Sequence, residues 1–100
     1  MTYLFSYGTL QNGDIQKDLF HRQLTGSPDS LLEFELSKKK AYGKYLVISK
    51  AADSSSKVSG MAYEISIEEL EQVDNYEGEQ YTRVLAQLQS GKKAWVYIAK

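Results

Sequence analysis

The stretch Val58–Gly78, VSGMAYEISIEELEQVDNYEG, changes its hydrophobic period once, and that change decides the fold class. Up to Ile65 the apolar residues alternate, so Met61, Tyr63 and Ile65 share one face of a strand. Ser66 followed by Glu69 is a capping box, in which each side chain satisfies an amide that the start of a helix leaves without a partner. Beyond it Ile67, Leu70 and Val73 follow the spacing of one helical face. The helix is expected to stop between Asn75 and Gly78, where the composition turns to loop formers.

Toward the N-terminus, residues 3–7 read as a strand with Tyr3, Phe5 and Tyr7 on one face and Leu4 and Ser6 on the other. The strand runs into Gly8-Thr9-Leu10 and then Asn12-Gly13, which are turn chemistry. Asp14 is read as the N-cap of a short helix over about residues 15–22, with Ile15 and Leu19 one turn apart. Ser27-Pro28-Asp29 predicts a turn, and Leu32, Phe34 and Leu36 alternating with Glu33 and Glu35 predict one half-buried strand. Tyr45-Leu46-Val47-Ile48 predicts a more deeply buried strand. Two last strands, about 81–89 and 93–99, are joined by a Ser90-Gly91 hairpin signal. The sum is one α+β domain over residues 1–100, a small mixed β-sheet or barrel of about six strands with two short helices.

Composition narrows the chemistry. The 100 residues contain no cysteine and one histidine, His21, which excludes disulfide scaffolds, thiol nucleophiles and thiolate metal sites. A zinc site draws three or four ligands together, so no metal is expected. His21 lies in a polar segment with no G-x-S-x-G elbow, which argues against a serine triad. A net charge of −1 lacks the basic excess that phosphate binding requires, and Lys38-Lys39-Lys40 and Lys92-Lys93 read as a solvated strand end and a charged hairpin. No apolar run approaches the roughly 18 residues of a membrane span. Met1-Thr2-Tyr3-Leu4 lacks the features of a signal peptide. The expectation is a soluble cytoplasmic monomer with no nucleic-acid or membrane partner, whose catalysis, if any, rests on carboxylates, hydroxyls or backbone amides.

Two segments stand out from this scaffold: Leu4-Phe5-Ser6-Tyr7-Gly8-Thr9-Leu10, and Val73-Asp74-Asn75-Tyr76-Glu77-Gly78-Glu79-Gln80-Tyr81-Thr82-Arg83. Together they resemble the γ-glutamylcyclotransferase-like family, which includes the AIG2-type proteins and γ-glutamylamine cyclotransferase. That family opens on a strand ending in Y-G-T-L or Y-G-S-L and carries a helix-terminal L-D-x-x-E-G followed by Y-x-R. Leu24-Thr25-Gly26 is similar to its L-x-G, Val58-Ser59-Gly60-Met61-Ala62-Tyr63 to its V-x-G-x-x-Y/F strand, and Ala94-Trp95-Val96-Tyr97 to its closing A-W-x-Y. The likeness covers nearly all of the chain. Val73 replaces the usual leucine, and Tyr45-Leu46 stands where members often carry Tyr-Pro. The chain ends one residue past Ala99, so no C-terminal segment covering the substrate is expected.

The resemblance implies a cofactor-free intramolecular transfer. The free α-amine of a small γ-glutamyl compound attacks its own γ-amide, releasing an amine and 5-oxoproline. A tethered nucleophile needs no covalent enzyme intermediate, only proton traffic that one carboxylate can manage as base and then acid. Glu77 matches the family's catalytic glutamate, and its place between Tyr76 and Gly78 at a helix end favours partial desolvation and a raised pKa. Asp74 is expected to bond loop amides or to pair with Arg83. The Tyr7-Gly8-Thr9-Leu10 loop is implied to bind substrate, its amides holding the α-carboxylate or polarising the γ-carbonyl. Tyr81 either lends a hydroxyl to the pocket or packs. Arg83 either attracts a substrate carboxylate or pairs with Asp74 or Glu77. The rival reading is a non-catalytic small-molecule-binding protein that keeps the pocket.

Overall fold

Strand β1 (Thr2–Ser6) lies at the centre of the fold because both of its faces are buried. A computed structural model describes residues 2–36, 48–51 and 56–99. After β1 come helix α1 (Gly13–Phe20), strands β2 (Gly26–Leu32), β3 (Phe34–Leu36), β4 (Ile48–Lys50) and β5 (Lys57–Ile65), helix α2 (Ile67–Glu77), and strands β6 (Tyr81–Gln87) and β7 (Lys93–Ala99). Five strands form one sheet in the order β2-β5-β1-β7-β6, and β3 and β4 form a separate ribbon. The sheet is mixed, since β1 runs antiparallel to β5 and parallel to β7 at Leu4–Trp95. The resulting α+β architecture is the expected one.

The alternation read in residues 3–7 sorts the core. Leu4 packs with Tyr63, Ile65 and Tyr97 on the face covered by the helices, through Leu10, Phe20, Leu70 and Val73. Phe5 packs on the other face with Leu31, Val58, Leu88 and Val96, where Phe34 and Ile48 bring in the β3–β4 ribbon. Edge strand β2 meets the residue that follows the other edge strand, β6, at an antiparallel Leu31–Leu88 bridge, so the sheet curls toward a barrel. Asp29 fastens that closure by accepting from the Ser90 amide (3.2 Å) and hydroxyl (2.5 Å). Gly60 permits the close contact of β5 with β1, because a Cβ there would lie 2.3 Å from the Ser6 carbonyl oxygen.

Several local expectations are corrected. Helix α1 is capped by Asn12 rather than Asp14: the Asn12 side chain accepts from the amides of Asp14 (2.8 Å) and Ile15 (3.4 Å). Asp14 sits in the first turn instead, where a negative charge suits the helix dipole. The helix closes at Phe20, with His21 in the left-handed region (φ 60°) and its amide donating to Lys17. Ser27-Pro28-Asp29 is not a turn but part of β2, an edge strand, where the missing proline N–H costs no interior ladder bond. The run 32–36 is not one strand. Glu33 takes a positive φ of 65° and breaks it, leaving Phe34 buried and Leu36 exposed. Residues 45–47 of the next expected strand lie outside the described residues, as do Lys38, Lys39 and Lys40; Ile48 opens β4 and is buried. No helix among the described residues is long and apolar enough to cross a membrane.

The capping box forms in both directions, with Glu69 accepting from the Ser66 amide (2.9 Å) and donating its own amide to Ser66 Oγ (3.1 Å). The apolar face of α2 is narrower than expected, because Ile67, at the first helical position, is 58% exposed while Leu70 and Val73 are buried. The Arg22 guanidinium grips Glu69 with two 2.8 Å hydrogen bonds and thereby ties the end of α1 to the start of α2. This pairing, with help from the cap, pulls the Glu69 carboxyl down to about 2. A depressed carboxylate stabilises the fold above its ordinary value of 4.5, and that contribution fades as pH falls toward 2. Glu69→Gln is therefore expected to lose about 1–2 kcal/mol at pH 7, with the gap to wild type shrinking below pH 4.5, as followed by urea midpoints at a series of pH values.

Candidate active site

Helix α2 ends where a glycine makes it end. Gly78 has φ 83° and ψ −171°, a backbone region essentially closed to residues with a Cβ, and its amide donates to the Asp74 carbonyl at 3.3 Å. Glu77 is thus the last helical residue, half-buried rather than projected into solvent. Burial alone pushes its carboxyl up to about 7. The helix C-terminus adds no relief, because its partial negative charge disfavours an anion.

The loop after β1 meets this helix end. Residues Thr9–Gln11 form a single tight turn, closed by the Gln11 amide on Gly8 O (3.2 Å) and the Asn12 amide on Thr9 O (3.0 Å). The first amides of such a turn have no acceptor within it. Thr9 Oγ1 lies 2.8 Å from the hydroxyl of Tyr76, joining the loop to the residue beside Glu77. Among the described residues nothing stands within 4 Å of where a Cβ would sit on Gly8, so the loop is open to them on that side. Buried Gln16 braces the loop from below: its amide group donates to Leu10 O (2.7 Å) and its oxygen accepts from the Leu24 amide (2.9 Å).

Two tyrosine hydroxyls, those of Tyr7 and Tyr97, bond across the neighbouring elements. Tyr7 donates to the Tyr97 carbonyl at 2.7 Å and accepts from the Ile48 amide, which fills its principal bonding positions. Its phenol is raised well above the ordinary value, first by burial and then by the fields of Tyr81 and Glu77. The Tyr97 hydroxyl donates to Asp74 Oδ1 at 2.5 Å and is raised too, by burial and then by Asp74. Arg83 bonds the same Asp74 oxygen through Nε (2.9 Å) and lies over the Trp95 ring, 4.6 Å from its centroid.

Glu77 and Tyr81 both act electrostatically on the Tyr7 phenol, and Thr9 is tied to the same helix end through Tyr76. Leu10 is buried in the core by its side chain, so only its backbone faces the loop's function. Of the alternatives open for Asp74 and Arg83, the ion pair between them is the one formed. His21 is an exposed helix cap remote in role from this cluster. Sequence reasoning missed Tyr97, Gln16 and Trp95 as parts of the neighbourhood. Tyr97 and Trp95 were legible only as members of a closing strand, and a glutamine on a short helix carries no signal of burial. Among the described residues no group of three His, Cys, Asp or Glu is placed to hold a metal ion.

Comparison with known proteins places this geometry in context. Residues 4–100 match the family described as gamma-glutamyl cyclotransferase, AIG2-like, and the chain belongs to that family. No curated protein sequence matches it significantly. Among solved structures, a protein of Arabidopsis thaliana is similar with a TM-score of 0.79 at 24% identity, covering 98% of this chain and 61% of that one. A protein titled gamma-glutamyl cyclotransferase superposes with a TM-score of 0.72 at 17% identity, over 99% of this chain and 66% of its own. An uncharacterised Pyrococcus horikoshii protein gives 0.70 at 20% identity, over 99% and 78%. At these identities the structures speak for a shared fold. The chain spans about three-fifths of the first of them.

The raised Glu77 carboxyl has a consequence for stability. The folded chain holds that proton more tightly than the unfolded chain, so the associated stability is full below 4.5 and is lost as pH rises through about 7. Glu77→Gln, which keeps the shape and cannot ionise, is expected to melt above wild type at pH 8, by about 1–3 kcal/mol, and to match it near pH 4. Thermal unfolding of both proteins at the two pH values checks this.

Proposed function

We propose that the protein is a cyclotransferase acting on a small γ-glutamyl compound, an amine conjugate or dipeptide, with Glu77 as general acid and base. The observation that carries this reading is a half-buried carboxyl held near neutrality at the meeting of the helix end and the Tyr7–Leu10 loop. A group that titrates near the working pH gives and takes a proton with similar ease, which the reaction demands twice. In the first step Glu77 takes a proton from the substrate α-ammonium. The freed amine attacks the γ-carbonyl carbon, forming the ring C–N bond and a tetrahedral oxyanion. Collapse of that intermediate breaks the original amide C–N bond as Glu77 returns the proton to the departing amine, and the ring nitrogen sheds the second proton it kept from the attack. The products are 5-oxoproline and the amine, which takes up that last proton as its ammonium, so atoms and protons balance with no cofactor.

The loop supplies the complementary half of this reading. Amides at the start of the Thr9–Gln11 turn offer donors to an anion, and the open side of Gly8 allows the backbone to be approached closely. Those donors serve either the α-carboxylate or the oxyanion. The filled bonds of the Tyr7 hydroxyl make it a brace for the loop rather than a donor to substrate. Arg83, turned to Asp74 and Trp95, fits a structural role better than that of a free substrate cation. The absence of cysteine and the single histidine accord with a reaction whose nucleophile belongs to the substrate.

The test is release of 5-oxoproline from a panel of γ-glutamyl amines and dipeptides. Wild type is expected to turn over at least one, with kcat/KM rising with pH through about 7, and Glu77→Gln to lose about 100-fold or more. Equal rates in the two proteins would sink the assignment of Glu77. Stabilisation by these compounds without turnover would favour a binding protein instead.

A further inference from the structure

The helix end and the loop after β1 belong to distant parts of the chain, and each has its own fastenings. The loop is tied to α1: Gln16 donates to Leu10 O at 2.7 Å, and Asn12 both closes the Thr9–Gln11 turn and caps that helix. Helix α2 is tied to α1 at its first turn, where the Arg22 guanidinium clasps Glu69. Glu77 lies eight residues beyond Glu69, about 12 Å along the axis at a rise of 1.5 Å per residue. Asp74 is held from the sheet by Tyr97 and Arg83. After it comes the last turn, whose carbonyls lack partners within the helix and which closes on a long bond from the Gly78 amide to Asp74 O (3.3 Å). Tyr76 stands in that turn, and its exposed hydroxyl lies 2.8 Å from Thr9 Oγ1, 67 positions away in the chain. The other bonds set α2 against α1 and the sheet; this one sets its last turn against the loop.

We propose that the Thr9–Tyr76 hydroxyl pair is a latch that pins the last turn of α2 to the loop after β1, which makes Thr9 and Tyr76 positioning residues for Glu77 and the loop amides. The latch stands on a direct contact; its value for catalysis rests on the cyclotransferase reading. In that reading Glu77 moves the proton while the loop amides meet the carboxylate or oxyanion of the same substrate, so the spacing of helix end and loop has to match one small molecule. Thr9 and Tyr76 are chain neighbours of the groups concerned: Thr9 stands between Gly8 and Leu10, and Tyr76 directly before Glu77. A displacement of either partner is passed on through a single peptide unit, which is planar and stiff. Because the pair is exposed, water can replace its bond at little cost to the whole fold, and the effect of losing it is local.

The experiment follows amide hydrogen exchange by NMR in the full chain for wild type, Thr9→Val, Tyr76→Phe, the double variant and Thr9→Ser, with 5-oxoproline release from the γ-glutamyl panel measured alongside. The reporting amides are Asn12, bonded to Thr9 O, and Gly78, bonded to Asp74 O, one on each side of the latch. Both are expected to exchange about 3–10-fold faster in either single variant, the effect of one net hydrogen bond, while urea midpoints stay near wild type. The double variant should exchange no faster than the single ones, and Thr9→Ser, which keeps the hydroxyl, should exchange as wild type does. The value of kcat/KM is expected to fall by a similar factor in both single variants and no further in the double. Unchanged exchange in Tyr76→Phe, effects that multiply in the double variant, or faster exchange with unaltered turnover overturns the proposal. Faster exchange at all amides alike, with a lowered urea midpoint, marks a merely structural bond and overturns it too. If wild type releases no 5-oxoproline from any compound, the cyclotransferase reading fails, and the exchange data still decide the latch.

Discussion

Everything at the site depends on how helix α2 is seated. Leu70 and Val73 bury themselves against Leu4, Tyr63, Ile65 and Tyr97, and this apolar contact fixes both ends of the helix relative to the sheet. The N-terminal end falls beside Arg22 and becomes an ion-paired, capped anchor. The C-terminal end falls over the end of β1 and the start of β6, where Gly78 stops the helix and leaves Glu77 half-buried. Two side chains of one type on one helix then acquire opposite proton affinities, one through a guanidinium and the other through loss of water.

The loop after β1 is held as firmly as the helix, by different means. Its strand is paired on both sides, its tyrosine is bonded to the backbone of β7 and β4, and its last residue is braced by a buried glutamine. Groups meant to meet a developing charge are most effective when they do not have to be reoriented first. In the proposed reaction the braced backbone and the side-chain-free Gly8 belong together: the surroundings fix the backbone, and the absent side chain exposes it.

Much of this was legible in the sequence because it is encoded locally. Alternation in residues 3–7 and in Met61, Tyr63 and Ile65 sorted side chains to the correct faces, and Ser66 with Glu69 announced the start of α2. Local signals also failed where a rival stood close by. Asn12, two residues before Asp14, takes the cap because its side chain is the one that reaches the first free amides. Glu33 breaks a run whose alternation looked continuous, because a backbone turn there carries the chain from the sheet into the ribbon. Pro28 reads as punctuation and yet lies in a strand, since an edge position asks nothing of the missing N–H.

The sequence by itself determined the α+β class, the helix that ends at Glu77 and Gly78, and, through its resemblance to a known family, which carboxylate and which loop to examine. These follow from spacing and from residue types a few positions apart. Only the tertiary structure decided the loss of water at that carboxylate, the pairing of Asp74 with Arg83, and the bonds from Tyr7 and Tyr97 that cross the sheet. Proton affinity depends on distances to charges and water, and those distances join residues up to 90 positions apart in the chain. No local pattern fixes them before the sheet has closed.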